Sequence, residues 1–404
     1  MNAAGAPQSA ATRRSIVLLS LATFSSMAAQ RICDAMLPEL SRVFAVSLAH
    51  AAQVVSVFAV VYGLAQLFYG PLGDRLGKFR IVTYATLWCS VGSIAAIFAG
   101  SLEMLLLARV MVALGAAAII PLSMAWTGDV APPEQLQETL ARVGLGTTLG
   151  IVGGQLMGGL LTDTLGWRWA FGFMALLFGV VGLLLQHDWR RQQAAAPTGG
   201  NRPVARPAFA VQVLAILADR WSRIVLFTGF VEGAAGFGVL AIWASHLHQA
   251  FGLSLSAAGA IVALAGIGGM LYMTVARHLI RRFGPPGLAL VGVCMLGLAT
   301  LTLGFVPYWL ASVPACLLGG FGFFMFHNTM QANATQMAPG ARGIAVSFFA
   351  SALFLGQSLG VLLAASLIER LGSGVVIALG GGTVMVLGVF FARALQRRQH
   401  RDIT

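Results

Sequence analysis

The chain has 404 residues, of which 58% are hydrophobic and only 9% are charged, with a formal net charge of +12. Soluble domains are about 25% charged, so this composition excludes an ordinary water-soluble protein and indicates several membrane spans. A positive net charge is also typical of proteins that bind nucleic acid. Here the basic residues lie mainly in the short segments between apolar runs, and we predict no nucleic-acid partner.

Twelve apolar segments are each long enough to cross a bilayer as a helix, which requires about 20 residues. None has the alternating pattern of a barrel strand, so the sequence predicts an all-α integral membrane protein. The predicted spans are residues 15–38, 50–71, 80–100, 103–127, 140–162, 168–187, 222–246, 256–279, 287–307, 309–333, 344–367 and 373–394. The predicted domains are a tail (1–14), a six-helix bundle (15–187), a central loop (188–221), a second six-helix bundle (222–394) and a tail (395–404).

Most basic residues fall on one side of the membrane when the spans alternate in direction. The positive-inside rule then predicts a multi-pass protein of a bacterial-type inner membrane with both termini in the cytoplasm. Arg13, Arg14 and the apolar run that follows resemble a signal peptide, but the run continues to Pro38 and we expect an uncleaved helix. Asp163 and Glu369 fall in outer loops, where we expect them to be solvated.

The two predicted bundles match each other when the sequence is shifted by 207 residues. One constant offset across loops and helices predicts an internal duplication of a six-helix unit. Many secondary transporters contain such repeats, and their substrate site lies near the middle of the membrane between the halves. The matching pairs include Leu72 and Leu279, Arg75 and Arg282, Gly77 and Gly284, Gly115 and Gly322, and Gly153 and Gly360.

The predicted loop between spans 2 and 3, GPLGDRLGKFR (70–80), concentrates charge among glycines. Glycines allow a tight turn between antiparallel helices, and basic residues keep the loop on the inner side. Its pattern resembles the loop 2–3 signature of the major facilitator superfamily: Gly70, Leu72, Gly73, Asp74, Arg75, Gly77, Lys78 and Arg80.

This resemblance extends over the whole chain through the twelve spans, the duplication and the central loop. It implies the major facilitator fold, two pseudo-symmetric six-helix bundles that transport by alternating access. It also implies that Asp74 is a latch, which binds the other half when the inner side is closed. A basic loop that only fixes topology is the alternative. The second copy of the loop has Arg281 in place of the aspartate.

Span 5 contains a glycine pattern that resembles the antiporter motif of drug:proton exchangers, which implies export. That family motif has proline where this chain has Gln155. Small residues four apart also let helices pack closely, so function and packing both remain open. The motif residues are Gly150, Gly154, Gln155, Gly158 and Gly159.

Four charged residues lie well inside predicted spans, away from the span ends: Arg31, Asp34, Arg109 and Glu232. A buried charge costs about 2.5–3.5 kcal/mol at the centre of a helix, so such residues suggest function. Asp34 is a candidate proton-coupling carboxylate, whose proton affinity would depend on burial and on a nearby arginine, either Arg31 or Arg109. A static Arg31–Asp34 pair is the alternative. Glu232 is a candidate for coupling, for binding a substrate cation or for a structural hydrogen bond.

Aromatic residues in several spans are candidates to line a cavity for a lipophilic ligand, although ordinary helix packing explains them as well. Two neighbouring polar residues of span 10 either face the cavity or form a packed polar pair. The candidates are Phe24, Phe230, Phe237, Trp243, Phe324, Phe326, His327 and Asn328.

The sequence shows no CxxC pattern, nucleophile–base pair or phosphate-binding loop. We therefore predict no metal, no cofactor apart from the proton gradient, and no enzymatic activity. The predicted function is proton-coupled export of a small organic or lipophilic compound, by a protein that acts as a monomer. The alternatives are proton-coupled uptake of a small metabolite and, more remotely, a membrane receptor or enzyme that transports nothing.

Overall fold

The computed structural model describes residues 10–132, 135–195, 209–338 and 342–401. Within these ranges the chain is almost entirely helical and contains no strand. Apolar segments of membrane length fold this way because a helix satisfies all its backbone hydrogen bonds internally. The predicted all-helical membrane fold is confirmed.

The first half of the chain, residues 10–195, contains eight helices. They are α1 (Ala10–Arg31), α2 (Leu37–Val43), α3 (Leu48–Ala51), α4 (Gln53–Leu76), α5 (Lys78–Ile97), α6 (Leu102–Val130), α7 (Leu136–Thr164) and α8 (Trp167–Ala195).

The second half, residues 209–401, contains seven α-helices and two short helical turns. They are α9 (Phe209–Ala218), α10 (Arg220–Glu232), a π-helical turn (Gly233–Gly238), α11 (Trp243–Phe251), α12 (Leu255–Phe305), a 3₁₀ turn (Trp309–Ala311), α13 (Ser312–Gln336), α14 (Arg342–Leu371) and α15 (Ser373–Arg401).

Ten helical segments of the described chain are long and apolar enough to cross a membrane. That number counts α12 once, although Gly284 interrupts its helical geometry with φ 64° and ψ 171°. The interruption separates two parts that are each of membrane length. The helix α1, at the start of the first predicted span, is not among the ten.

The two halves repeat the same backbone features at the offset found in the sequence. Ala45 and Gly252 both have positive φ, at 52° and 65°. Gly77 and Gly284 also both have positive φ, at 93° and 64°. Each pair is separated by 207 residues. The left-handed region is costly for most residues, so its recurrence at equivalent positions supports a duplicated unit.

The described helices pack around two apolar clusters, one mainly from residues 18–185 and the other mainly from residues 216–395. Hydrogen bonds join the halves at four places: Gln30 to Gln357, Ser56 to Ser358, Ser351 to Gly63, and Ser256 to Asp163. We call the end of the bundle that carries Asp163 and Ser256 the closed end. The opposite end, which carries residues 70–80, is called the loop end.

Candidate functional site

Asp34 lies in a turn that separates α1 from α2, and its side chain is fully buried. The helix is interrupted here because Pro38 has no N–H to donate to the carbonyl of Asp34. The carboxylate Oδ2 accepts hydrogen bonds from Arg31 Nη1 at 3.2 Å and from Gln155 Nε2 at 2.8 Å. Among the described residues, Oδ1 has no hydrogen-bond partner. The turn thus holds a buried carboxylate with one unused acceptor.

Arg31 connects this carboxylate to the second half of the chain. Its guanidinium carbon lies 4.7 Å from the ring centroid of Phe237, a distance at which a cation is attracted to an aromatic face. The neighbouring Gln30 donates from Nε2 to Gln357 Oε1 at 3.0 Å. The Asp34 cluster therefore lies where the two halves meet, and a movement of one half against the other would disturb it.

Arg109 does not hydrogen bond to Asp34 in the part of the chain that the structure describes, so of the two candidate arginines it is Arg31 that pairs with the carboxylate in this conformation. Its guanidinium donates to Ala29 O at 2.7 Å and to Val54 O at 3.1 Å, and lies 4.2 Å from the Phe58 centroid. Ala29 belongs to the last turn of α1, whose carbonyls have no partner within the helix. Arg109 therefore donates to a backbone carbonyl of α1 that has no partner within the helix, because the helix ends before the turn at Asp34.

Glu232 is the last residue of α10, immediately before the π-helical turn, and it is fully buried. Its Oε1 lies 3.0 Å from His327 Nδ1, while Oε2 has no hydrogen-bond partner among the described residues. The His327 ring is stacked on Phe323 with 5.8 Å between centroids. His327 thus pairs with Glu232 and not with its neighbour Asn328, because consecutive residues of a helix do not face each other.

An apolar pocket lies beside the Asp34 cluster and is lined mainly by the second half, with Ile151 and Gln155 contributed by α7. Its cavity measures about 30 Å³, which is room for one or two water molecules. Ligand pockets commonly have about 300–1,000 Å³ and mostly apolar walls. In this conformation the pocket therefore has the apolar walls of a site for a small organic molecule, and its lining would have to move apart to admit one.

The pocket includes only some of the predicted lining residues: Phe237, Trp243 and Phe324 line it. Phe326 is fully buried against Phe391, with 6.2 Å between centroids, so its assignment to the lining is wrong. The ring of Phe24 packs against Gly153. The remaining candidates, Phe230, His327 and Asn328, are also not among the lining residues.

Sequence reasoning missed several residues of this site. Phe323 and Thr300 line the pocket, and Gln155, considered only as a departure from a motif, binds Asp34. The presence of Gln155 in place of the motif proline could have indicated this contact, since a proline has no side-chain amide to donate to a carboxylate. No comparable signal marked Gln30 or Gln357.

The loop at residues 70–80 is a tight connection at Gly77, where φ is 93° and ψ is 121°. Lys78 Nζ lies 2.5 Å from Asp129 Oδ2 and 3.7 Å from Asp74 Oδ1, and all three residues belong to the first half. The guanidinium of Arg80 lies 5.7 Å from the indole centroid of Trp189. The rest of the pattern consists of exposed Gly70, Leu72 and Arg75 and buried Gly73.

The glycines of span 5 lie where α7 crosses two other helices. A Cβ at Gly154 would be 2.6 Å from Ala28 O, and Gly158 faces Ile32 O. On the other side, Gly159 faces Leu255 O of α12. Gly150 faces α1 in the same way, at Phe24 O. These contacts support a packing role for the glycines, while Gln155 alone among the motif residues reaches the carboxylate.

Comparison with known proteins gives the family of this chain. The model of the Major Facilitator Superfamily matches residues 19–360. The "Multidrug resistance protein B homolog" of Mycobacterium tuberculosis (strain ATCC 25618 / H37Rv) is 28% identical over 285 residues, which cover 58% of this chain and 53% of the relative. This chain therefore spans about half the length of that relative.

Two further similarities extend over most of the chain. The "Probable sugar efflux transporter" of Mannheimia succiniciproducens is 23% identical over 360 residues, covering 88% of this chain and 87% of the relative. The crystal structure of a bacterial homolog of the human lysosomal transporter Spinster, inward-facing and unoccupied, has a TM-score of 0.71 at 19% identity and covers 96% of each chain. At that identity the similarity concerns the fold alone. With the family model matched over most of its length, the chain belongs to the major facilitator superfamily.

Proposed function

We propose that this transporter exports a small organic or lipophilic compound in exchange for protons, by alternating access. The observation that carries the proposal is the buried Asp34, which lies 3.2 Å from Arg31 Nη1 and 2.8 Å from Gln155 Nε2, where the two halves meet. A carboxylate in this position gains or loses stabilisation as its neighbours move, so its proton occupancy can follow the conformation.

The sidedness of the cycle follows from the predicted topology, in which both termini are cytoplasmic and the loop end faces the cytoplasm. The conformation described above, with hydrogen bonds between the halves at the closed end, is then closed to the outside. Substrate would enter from the cytoplasm, and a proton would leave Asp34 on the same side. When the protein reopens toward the outside, the substrate would leave and Asp34 would bind a proton from that side.

Export is favoured over uptake by two kinds of observation. The glycine pattern of α7 resembles that of drug:proton exchangers, and two relatives carry names that refer to drug resistance and sugar efflux. Those names refer to different compounds, so they support the direction of transport better than any one substrate. The same proposal includes action as a monomer in a bacterial-type inner membrane, with the proton gradient as the energy source.

The test uses inside-out vesicles with an acidic lumen and a pH-sensitive dye inside. Adding an exported compound should make the lumen more alkaline, because protons leave as the compound enters. Asp34→Asn should abolish this response, whereas Glu39→Gln, a change of a partly exposed acid in α2, should preserve it. A lumen that becomes more acidic on addition would indicate symport and uptake. An unchanged response in Asp34→Asn would refute the coupling role of Asp34.

A further inference from the structure

The apolar pocket contains two buried polar groups that have no hydrogen-bond partner among the described residues: Trp243 Nε1 and Gln155 Oε1. Both residues are at least nine-tenths buried, with exposures of 4% and 1%. Buried polar groups are nearly always paired, because leaving one unpaired is costly. One unused donor and one unused acceptor on residues that line the same pocket point to a ligand that supplies the complementary groups.

Gln155 connects the pocket to the proton site, since its Nε2 donates to Asp34 Oδ2 at 2.8 Å. An ionised carboxylate can only accept hydrogen bonds, so it requires the NH₂ side of the amide. The carbonyl side of the amide, Oε1, is therefore the unused one. The ionised state of Asp34 thus leaves an acceptor on Gln155 for a ligand in the pocket.

A proton on Asp34 reverses this arrangement. We place the proton on Oδ2, the oxygen that Gln155 contacts, and not on the unpartnered Oδ1, since an O–H on Oδ2 is within reach of that amide. This O–H needs an acceptor, and Arg31, the other partner of Oδ2, has only donors. Gln155 Oε1 is the remaining acceptor, and it reaches the acid when the amide turns over. That rotation is easy, because the terminal torsion of a glutamine is broad. Nε2 then replaces Oε1 as the unused group of Gln155.

We propose, on the basis of the proposed proton exchange, that Gln155 reverses the hydrogen-bonding polarity of the pocket according to the proton on Asp34. When Asp34 is ionised, the pocket binds a ligand that donates an N–H or O–H to Gln155 Oε1. When Asp34 is protonated, that donor meets Nε2 and the ligand is released. Proton and substrate thereby exclude each other, as antiport requires.

The same geometry defines the substrate class as a neutral, largely apolar molecule with one hydrogen-bond donor for Gln155 and one acceptor for Trp243. No carboxylate of the described residues lines the pocket, and Asp34 beside it is already paired with Arg31, so a permanent cation finds no counter-ion in the lining. Glu232, whose Oε2 is unpaired, lies outside the lining and contacts His327. Phe237, which lines the pocket, already has the Arg31 guanidinium against its ring. A cationic ligand would therefore bring a second positive charge close to the first.

Other titratable and charged groups near Asp34 are few among the described residues. Arg31 and Cys33 lie on the same segment, and Arg109 approaches from α6. Gln155 is the neutral neighbour from α7. The two arginines keep their charge throughout, so the proton exchanged between these groups is assigned to Asp34.

The test measures binding to the purified full-length protein in detergent, without any proton gradient. Benzanilide and phenyl benzoate are matched neutral probes, since both have a carbonyl acceptor and only benzanilide has an N–H donor. At high pH we expect benzanilide to bind about 3- to 10-fold more tightly, the ratio that one hydrogen bond typically gives. At low pH the preference should disappear. Scintillation proximity with each radiolabelled probe measures both affinities.

Five variants test the separate roles of Gln155, Trp243 and Asp34 in binding. Gln155→Leu should remove the preference for benzanilide, whereas Gln66→Leu, a change of a buried glutamine in α4 outside the pocket, should keep it. Trp243→Phe should weaken both probes equally, because both have the carbonyl. Trp221→Phe is the matched control, since its Nε1 is also buried without a partner among the described residues. In Asp34→Asn the preference should no longer change with pH.

Several outcomes would overturn the inference. Equal affinity for the two probes at every pH, or a preference that persists in Gln155→Leu, would show that Gln155 is not the selective group. Tighter binding of tetraphenylphosphonium than of benzanilide, or no binding of either neutral probe, would exclude the proposed substrate class. The proposed function can be refuted independently of this inference. If the probes bind as expected but vesicles move no protons, proton exchange is refuted and the assignment of the pocket is retained.

Discussion

Asp163 of the first half binds the N-terminus of α12 in the second half, where its Oδ2 accepts a hydrogen bond from Ser256 N at 2.5 Å. The N-cap of the same helix is Ser254, whose Oγ accepts from Ala257 N at 3.1 Å. The first turn of a helix has unpaired N–H groups and a partial positive charge, so a carboxylate is stabilising there. Although Asp163 is exposed, as the sequence predicts, it bridges the two halves at the closed end.

We expect Asp163→Ala to shift the protein toward conformations in which the closed end is open. A carboxylate at an exposed helix N-terminus contributes up to about 1 kcal/mol, which corresponds to about a fivefold change in population. Spin labels at Leu165 and Gln249, introduced into a cysteine-free background, should report a larger share of long distances between the halves. Glu39→Ala, at a partly exposed acid that pairs within its own half, is the control. An unchanged distance distribution would mean that packing alone holds this end closed.

Much of the fold could be predicted from the sequence, because membrane helices are long and uniformly apolar. The duplication could be predicted too, since Gly77 and Gly284 have the same backbone role at the same offset. The contact between Asp163 and Ser256 could not, because it depends on how the two halves dock. The π-helical turn after Glu232 could not be predicted either, because its sequence GAAGFG is equally compatible with an ordinary helix.

Gly158→Ala should destabilise the protein, because a Cβ there would collide with Ile32 O where α7 crosses α1. Overpacking of this kind typically costs about 1–3 kcal/mol. Thermal unfolding in detergent should show a lower midpoint for this variant. Gly144→Ala, on the same helix, is the matched control, since its nearest contact would be Met124 Cε at an ordinary 3.6 Å. Equal midpoints for the two variants would argue against a packing role for Gly158.

The candidate site was predictable only in part. Buried charge identified Asp34, Arg31, Arg109 and Glu232, because a charge within an apolar span stands out in any sequence. Which side chains meet was not predictable, since that depends on the rotation of each helix about its own axis. Whether Phe326 lines the cavity or packs against another helix could not be predicted, because α13 has no preferred apolar face that would orient it.

Asp74→Asn should slow transport if Asp74 acts as the latch that the family resemblance implies. In the present conformation Lys78 lies between Asp74 and Asp129, so the aspartate is held by its own half. Closing the loop end would need the charge of Asp74 at the second half, and its loss should lower the transport rate about fivefold. Vesicle transport assays would measure this rate. Asp129→Asn is the control, because it removes the other partner of Lys78. If the two variants lose the same transport rate, both acids merely position Lys78.

If Asp34 carries the exchanged proton as proposed, Glu232→Gln should keep proton-coupled transport, because a glutamine carbonyl can still accept from His327 Nδ1. Glu232→Leu cannot accept, so it should leave His327 with a buried unpaired nitrogen and lower the free energy of unfolding by about 2 kcal/mol. Vesicle assays and thermal unfolding in detergent would measure the two effects. If Glu232→Gln folds with wild-type stability yet moves no protons, Glu232 is a second coupling acid and the exchange involves more than one proton. If Glu232→Leu is as stable as wild type, the contact with His327 contributes little, and the burial of Glu232 would then serve transport rather than folding.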